Sequence, residues 1–173
     1  MKAVFLDRDG VICRVEKGKY VCKPEDLEIL PTAAPAIIRL KQLGYLVIVV
    51  TNQLGISLGY ATMEDVENVH KKMKEELGRS GAEIDDIFLC PNMSSLRKPA
   101  LGMFIEAVRK WDIDIEASYL IGDSLSDMLA AENLGCEKIL VKSCMGPRIA
   151  EDILQAVEII EKTKKKEIEQ KKI

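Results

Sequence analysis

The chain has 173 residues, of which 47% are hydrophobic and 31% charged, and a formal net charge of -3. That is enough apolar chain for one domain with a buried core, or one domain with a small appendage. The balanced charge lacks the basic excess of a dedicated nucleic-acid binder, and no apolar run approaches the roughly 20 residues of a membrane span.

The first predicted element is a strand over Ala3–Leu6, which runs straight into Asp7, Arg8, Asp9 and Gly10. Two carboxylates one residue apart at the end of an apolar strand cost energy unless a cation or chemistry awaits them. Thr32 is a candidate N-cap for the helix AAPAIIRLKQLG, which Gly44 ends. A strand over Leu46–Thr51 follows. Its LVIVV run is continuous rather than alternating, as expected of a strand covered on both faces. Thr62, with Asp65 three residues on, predicts a capped helix through MEDVENVHKKMKEELG. The single histidine, His70, lies in that helix beside Lys71 and Lys72 and is expected at the surface, so His-based triads and multi-His metal sites are set aside.

Further strands are predicted over Ile87–Cys90, Tyr119–Ile121 and Lys138–Val141, separated by helices over PALGMFIEAVRKW and SLSDMLAAENLG. An amphipathic segment spans Ile149–Ile160, and EKTKKKEIEQKKI reads as a solvated helix end or frayed tail. Regular alternation of strand and helix implies an α/β fold: a Rossmann-like three-layer αβα sandwich with a mostly parallel central sheet. Residues 1–160 would form the domain and 161–173 a charged appendage. The gaps between predicted strands leave no room for a large cap domain, so the site should be closed only by loops such as Cys13–Lys23 and Leu54–Ala61. The opening MKAVFLDRDG carries acids and no cleavage-site pattern, so no secretory signal is expected. The five cysteines, Cys13, Cys22, Cys90, Cys136 and Cys144, are odd in number and lack a Cys-x-x-Cys pair. They read as reduced core or loop residues of a cytoplasmic protein.

In such sheets ligands bind beyond the carboxyl ends of the strands, near the point where strand order reverses. The chemistry-bearing residues fall there: Asp7 and Asp9 after the first strand, Thr51, Asn52 and Gln53 at the second, Lys98 after the third, Asp123 and Asp127 after the fourth. Carboxylates without His or Cys partners suit a hard cation, Mg²⁺ above all. Acids, a metal, a lysine and a hydroxyl together suit phosphoryl transfer to a carboxylate. No Gly-rich phosphate loop is present. The Cys90–Arg97 and Cys144–Arg148 spacings do not match a cysteine phosphatase.

FLDRDGVI, VIVVTNQLGI, RKPALGM and YLIGDSLSDMLAA resemble, in order and placement, the four motifs of the haloacid dehalogenase (HAD) superfamily of phosphohydrolases. The wording DRDG, TNQ and RKP is similar to one branch, the D-glycero-D-manno-heptose 1,7-bisphosphate and histidinol-phosphate phosphatases. The resemblance implies a Mg²⁺-dependent phosphatase of a small-molecule phosphate ester. Asp7 would be the nucleophile. Asp9, turned away from it and free to carry a proton, would be the acid and then the base. Thr51 and Lys98 would hold the transferring phosphoryl. Asp7, Asp123 and the Asp9 main-chain carbonyl would hold the metal, and Asp127 would orient Lys98 or the metal's waters. Asn52, Gln53 and Arg97 would touch the substrate.

The chain departs from that branch in three places. CPNMSSLRKP keeps Cys90 but has Asn92 where a histidine would stand, and lacks the Cys-x-Cys of the branch's zinc loop, so no zinc is expected. Ser57 and Leu58 stand where a basic residue is frequent, and Ser124 replaces a lysine. Arg14, Lys17 and Lys19 are candidates to compensate. These changes lean toward a monophosphate, while overall wording favours the heptose bisphosphate. Two readings outside catalysis stay open, a phospho-receiver and an idle interaction protein on the same fold class.

Overall fold

The computed structural model describes residues 1–16, 19–141 and 150–170, with only the backbone at 167 and 168. Lys17 and Cys144, named above, lie outside the described residues, as does the first residue of the predicted segment Ile149–Ile160. Strands β1 (Ala3–Leu6), β2 (Leu46–Asn52), β3 (Asp86–Cys90), β4 (Tyr119–Gly122) and β5 (Glu137–Leu140) alternate with helices α1 (Ala33–Gln42), α2 (Met63–Arg79), α3 (Gly102–Trp111), α4 (Leu125–Leu134) and α5 (Ile153–Gln170). The strands form one sheet in the order β3-β2-β1-β4-β5, and every pairing is parallel. All predicted strands are present, with no end shifted by more than one residue. No cap domain interrupts the described residues.

The central position of β1 follows from its sequence. All four of its residues are fully buried, as an apolar run without alternation requires of a strand covered on both faces. Val4 and Leu6 face a core built with Ala36, Ile37 and Leu40 of α1, Val69 and Met73 of α2, and Val157 and Ile160 of α5. Ala3 and Phe5 face the other layer, with Phe104 and Ala107 of α3 and Ala130 and Ala131 of α4. Phe5 meets Phe104 edge to face at 5.2 Å between ring centroids, a preferred aromatic geometry.

Helix starts test the capping expectations. Thr62 caps α2 in a reciprocal box: its hydroxyl accepts from Asp65 N–H, and the Asp65 carboxylate accepts from Thr62 N–H. Thr32 does not cap α1. It already has helical backbone angles (φ -84, ψ -12) and makes no side-chain cap bond, because a capping side chain reaches back only from an extended backbone. A second box, unforeseen, links Ser124 and Asp127 at the start of α4.

His70 corrects another expectation. It is only 7% exposed and belongs to the buried stripe Val66, Val69, His70, Met73, Leu77 of α2. The flanking lysines describe the next positions round the helix, not this one. The charged C-terminal segment continues α5 to Gln170, and Arg39 of α1 pairs with Glu161 at that helix.

Candidate active site

β1 and β4 are neighbours at the point where strand order reverses, and their carboxyl ends open the crevice where such sheets bind ligands. Asp7 follows β1, with its N–H donating to the Ile121 carbonyl at 3.0 Å, and Asp123 follows β4. Two glycines make room for the acids. Gly10 has φ 84, and a Cβ there would lie 2.1 Å from Asp123 Oδ2. A Cβ on Gly122 would lie 2.3 Å from the Asp127 Cβ. Asp7, Asp123 and Asp127 consequently offer oxygens that all lie within 4.8 Å of one another.

Lys98 anchors this group. Its Nζ is 2.9 Å from Asp7 Oδ1 and 2.7 Å from Asp127 Oδ1, and it donates to the Val50 carbonyl at 2.7 Å. Its main chain is fixed as well. Lys98 N–H donates to Asn52 Oδ1 at 2.9 Å, and Asn52 Nδ2 donates to the Lys98 carbonyl at 3.1 Å. The Lys98–Pro99 peptide is cis. The other oxygen of Asp127 accepts from Ser124 N–H at 3.2 Å, so one buried carboxylate both caps α4 and pairs with the lysine.

Charge in this pocket is unbalanced. Burial pushes the Asp7 carboxyl up to about 7; Lys98 opposes the shift, while Asp127 and Asp9 add to it. Asp123 is pushed up to about 6, again by burial first and then by Asp127, against Lys98. Burial works against the Lys98 charge, yet Asp127 and Asp7 outweigh it and hold the ammonium above its ordinary range. Three carboxylates share one ammonium. Hard oxygen donors with surplus negative charge are what a divalent cation such as Mg²⁺ fits.

Asp9 is held apart from this group, and not free of partners as its position suggested. Arg8 Nε donates to Asp9 Oδ1 at 2.8 Å and Arg8 Nη2 to Asp9 Oδ2 at 3.0 Å. Gln53 Nε2 donates to Asp9 Oδ2 at 2.9 Å and to Thr51 Oγ1 at 2.9 Å. The Cys13 thiol faces Asp9 Oδ1 at 3.3 Å, and burial first, then Asp9, pushes that thiol well above its ordinary range, so Cys13 stays protonated. Thr51 accepts through its oxygen, which leaves its hydroxyl proton for a ligand. Arg97 Nη1 is buried without a protein partner. The structure thus brings Asp7, Lys98, Asp123 and Asp127 together, with Thr51, Gln53 and Asp9 as the adjoining wall. Asn52 sits on the Lys98 backbone.

Sequence reasoning passed over Arg8, whose side chain is fully buried. Its place was legible all the same: strand alternation gives Arg8 the parity of Val4 and Leu6, toward the α2 layer. β3 ends at Cys90, followed by Pro91 and Asn92, so the strand that bears the phosphorylated acid in a receiver domain has none here.

A parallel sheet whose switch point sets a carboxylate against a buried lysine, with further acids to hold a cation, suits phosphoryl transfer to a carboxylate. A family model described as HAD-hydrolase-like matches residues 95–158. The chain is 35% identical over 168 residues to a D-glycero-D-manno-heptose-1,7-bisphosphate 7-phosphatase of Thermosynechococcus vestitus, covering 88% of this chain and 85% of that protein. It is 39% identical over 144 residues to the corresponding β-heptose enzyme of Rhodopseudomonas palustris, covering 77% and 79%. The crystal structure of D,D-heptose 1,7-bisphosphate phosphatase from B. bronchiseptica, complexed with magnesium and phosphate, superposes with a TM-score of 0.84 at 32% identity, covering 94% of this chain and 99% of that one. The chain belongs to the HAD superfamily of phosphatases, in the branch of the heptose bisphosphate phosphatases, and is a phosphoric monoester hydrolase.

Proposed function

We propose that the chain hydrolyses the 7-phosphate of D-glycero-D-manno-heptose 1,7-bisphosphate through an aspartyl-phosphate on Asp7. The observation that carries the chemistry is the contact of Asp7 Oδ1 with the buried Lys98 ammonium at 2.9 Å. An anionic oxygen at a strand end, beside a fixed cation, is a nucleophile placed where phosphoryl charge can be neutralised. The substrate choice rests on the names of the similar proteins.

In the first step an Asp7 oxygen bonds to phosphorus as the bond to the sugar oxygen breaks, and Asp9 gives that oxygen its proton. In the second, Asp9, now a carboxylate, takes a proton from water as the water oxygen bonds to phosphorus and the Asp7–phosphorus bond breaks. Orthophosphate leaves, and both acids return to their starting states. The Thr51 hydroxyl and Lys98 hold the phosphoryl oxygens, and Gln53 and Arg97 face the substrate. Asn52 serves by fixing Lys98. Asp7 and Asp123, with the Asp9 carbonyl that the family resemblance adds, would hold Mg²⁺. When bound, the ion supplies positive charge against the phosphoryl oxygens.

A bisphosphate needs a second cationic patch. A cleft of about 420 Å³ lined by Lys19, Tyr20, Cys22, Lys23, Asp26 and Tyr60, two lysines against one carboxylate, supports that role. A second reading, histidinol phosphate or another monophosphate, draws support from the exposed, uncharged Leu58, Tyr60 and Met93 of the loops after β2 and β3. Phosphate release with Mg²⁺ from the heptose bisphosphate, histidinol phosphate and other sugar phosphates separates the two. The bisphosphate should give the highest kcat/KM, and Lys23→Glu should raise KM for it alone. No release from any of them, with Asp7→Asn indistinguishable from the parent, would sink both.

The enzyme acts in the cytoplasm in carbohydrate metabolism, without nucleic-acid partners; no helix among the described residues is long and apolar enough to cross a membrane. It carries no structural zinc: Cys90 Sγ donates to the Asn92 carbonyl at 3.1 Å, and one cysteine cannot build a four-ligand site. Residues 1–160 are the catalytic unit and 161–173 a charged C-terminal helix end or tail. Metal analysis of the purified protein tests the zinc reading, and a stoichiometric zinc content contradicts it.

A further inference from the structure

The fully buried guanidinium of Arg8 is the largest polar commitment of this site that the chemistry above does not use. A buried cation is tolerated only when its donors are satisfied. Here the fork of Nε and Nη2 grips both oxygens of Asp9 at 2.8 and 3.0 Å. Nη2 also donates to the Val21 carbonyl at 2.8 Å, and Nη1 meets His70 Nε2 at 3.1 Å. Arginine can only donate, so His70 Nε2 must be the unprotonated, accepting nitrogen. His70 is well suited to that: burial first, then the Arg8 charge, pushes its imidazole down to about 3. Burial and the neighbouring guanidinium both favour the neutral imidazole.

We propose that Arg8 and His70 are positioning residues: His70, on α2, seats the Arg8 fork, and the fork sets the orientation of the Asp9 carboxylate for proton transfer. This rests on the assignment of Asp9 as the group that moves protons. The arrangement ties Asp9, through Arg8, to α2 as well as to the loop that carries Val21. It also gives Asp9 a cation of its own, so the two carboxylates one residue apart pair with different charges, Asp9 with Arg8 and Asp7 with Lys98. A bidentate fork fixes a carboxylate in plane as well as in distance, which a lysine cannot do.

The test uses p-nitrophenyl phosphate, whose leaving group needs no proton, beside an alkyl sugar phosphate, whose leaving group does. His70→Gln can place an amide oxygen near the Nε2 position; His70→Asn, equally polar, is too short to reach Arg8. With His70→Asn and with Arg8→Lys, kcat on the alkyl phosphate should fall about 10- to 100-fold, as misplacement of a catalytic group does, with KM unchanged. The pre-steady-state burst of p-nitrophenol should keep its rate while steady turnover slows, because Asp7 still attacks and Asp9 no longer activates water. His70→Gln should recover most of the loss. Equal bursts and turnover losses, or no difference between His70→Gln and His70→Asn, would overturn the inference. Asp9→Asn separates the two levels. If it shows the selective loss and the His70 variants do not, the clamp is wrong and the role of Asp9 stands. If Asp9→Asn shows no selective loss, both fall.

Discussion

Lys98 and Asp127 form the deepest charge pair of the site: Nζ lies 2.7 Å from Oδ1, and the side chains are 2% and 0% exposed. Asp7 approaches the same ammonium from another side at 2.9 Å. Removing the cation would leave two buried acids unpaired. Lys98→Met should therefore cost about 3–5 kcal/mol in denaturant unfolding and abolish turnover. Adding Asp127→Asn to it should restore part of the stability and none of the activity. An unchanged unfolding midpoint in the single variant would show that the pair contributes nothing.

The surplus of negative charge makes the metal-free protein sensitive to pH. Asp7 and Asp123 ionise at about 7 and about 6 in the folded chain, against 3.8 ordinarily. The folded state keeps protons that the unfolded chain has released, so their contribution is fully present below about pH 4 and lost as pH rises toward about 7. His70 runs the other way: its contribution is present above 6.5 and lost as pH falls toward about 3. Comparison of variants isolates the acids. In metal-stripped protein Asp7→Asn should raise stability by up to about 4 kcal/mol at about pH 8 and hardly at all at about pH 4. Mg²⁺ should narrow the gap at the higher pH by stabilising the parent. Melting curves across pH, with and without the ion, check both statements.

Gly10 and Gly122 stand where a methyl group collides with an acid. Gly10→Ala would place Cβ 2.1 Å from Asp123 Oδ2 at a φ of 84. A non-glycine residue there costs roughly 1–2 kcal/mol on its own, and Asp123 must move. We expect a folded protein with weakened Mg²⁺ binding in calorimetric titration and little turnover. Gly122→Ala strikes Asp127, which is buried and caps α4, so its loss should appear first in thermal stability.

The two capping boxes predict a contrast. Thr62→Ala and Ser124→Ala should each cost about 1 kcal/mol. Only Ser124→Ala should also lower kcat, since the carboxylate it releases is the one that pairs with Lys98. Thr32→Ala should change neither quantity, because Thr32 caps nothing. Equal kcat in the Thr62 and Ser124 variants would detach the α4 cap from catalysis.

Much of this was legible in the residues because each signal is local. An apolar run such as Val47–Val50 must be covered on both faces, and alternation of strand and helix leaves a parallel sheet as its natural packing. The strand ends then name Asp7, Thr51 and Asp123 by position, and Lys98 falls in the loop after the third strand. Local signals also misled. The lysines beside His70 suggested an exposed face, whereas the stripe from Val66 to Leu77, read with a period of 3.6, places His70 inward. Thr32 had the right chemistry for a cap and the wrong backbone.

The sequence by itself determined the class of chemistry: acids, a lysine and a hydroxyl at the ends of successive strands, in the order of one superfamily's motifs. Only the tertiary structure decided how those groups share their charge. Which oxygen meets Lys98, why Asn52 grips a backbone, and how Arg8 after β1 reaches His70 on α2, 62 residues on, depend on packing between elements far apart in the chain. Hydrogen bonds and ion pairs act over about 3 Å, a distance that residue order does not encode and the packing of the elements imposes.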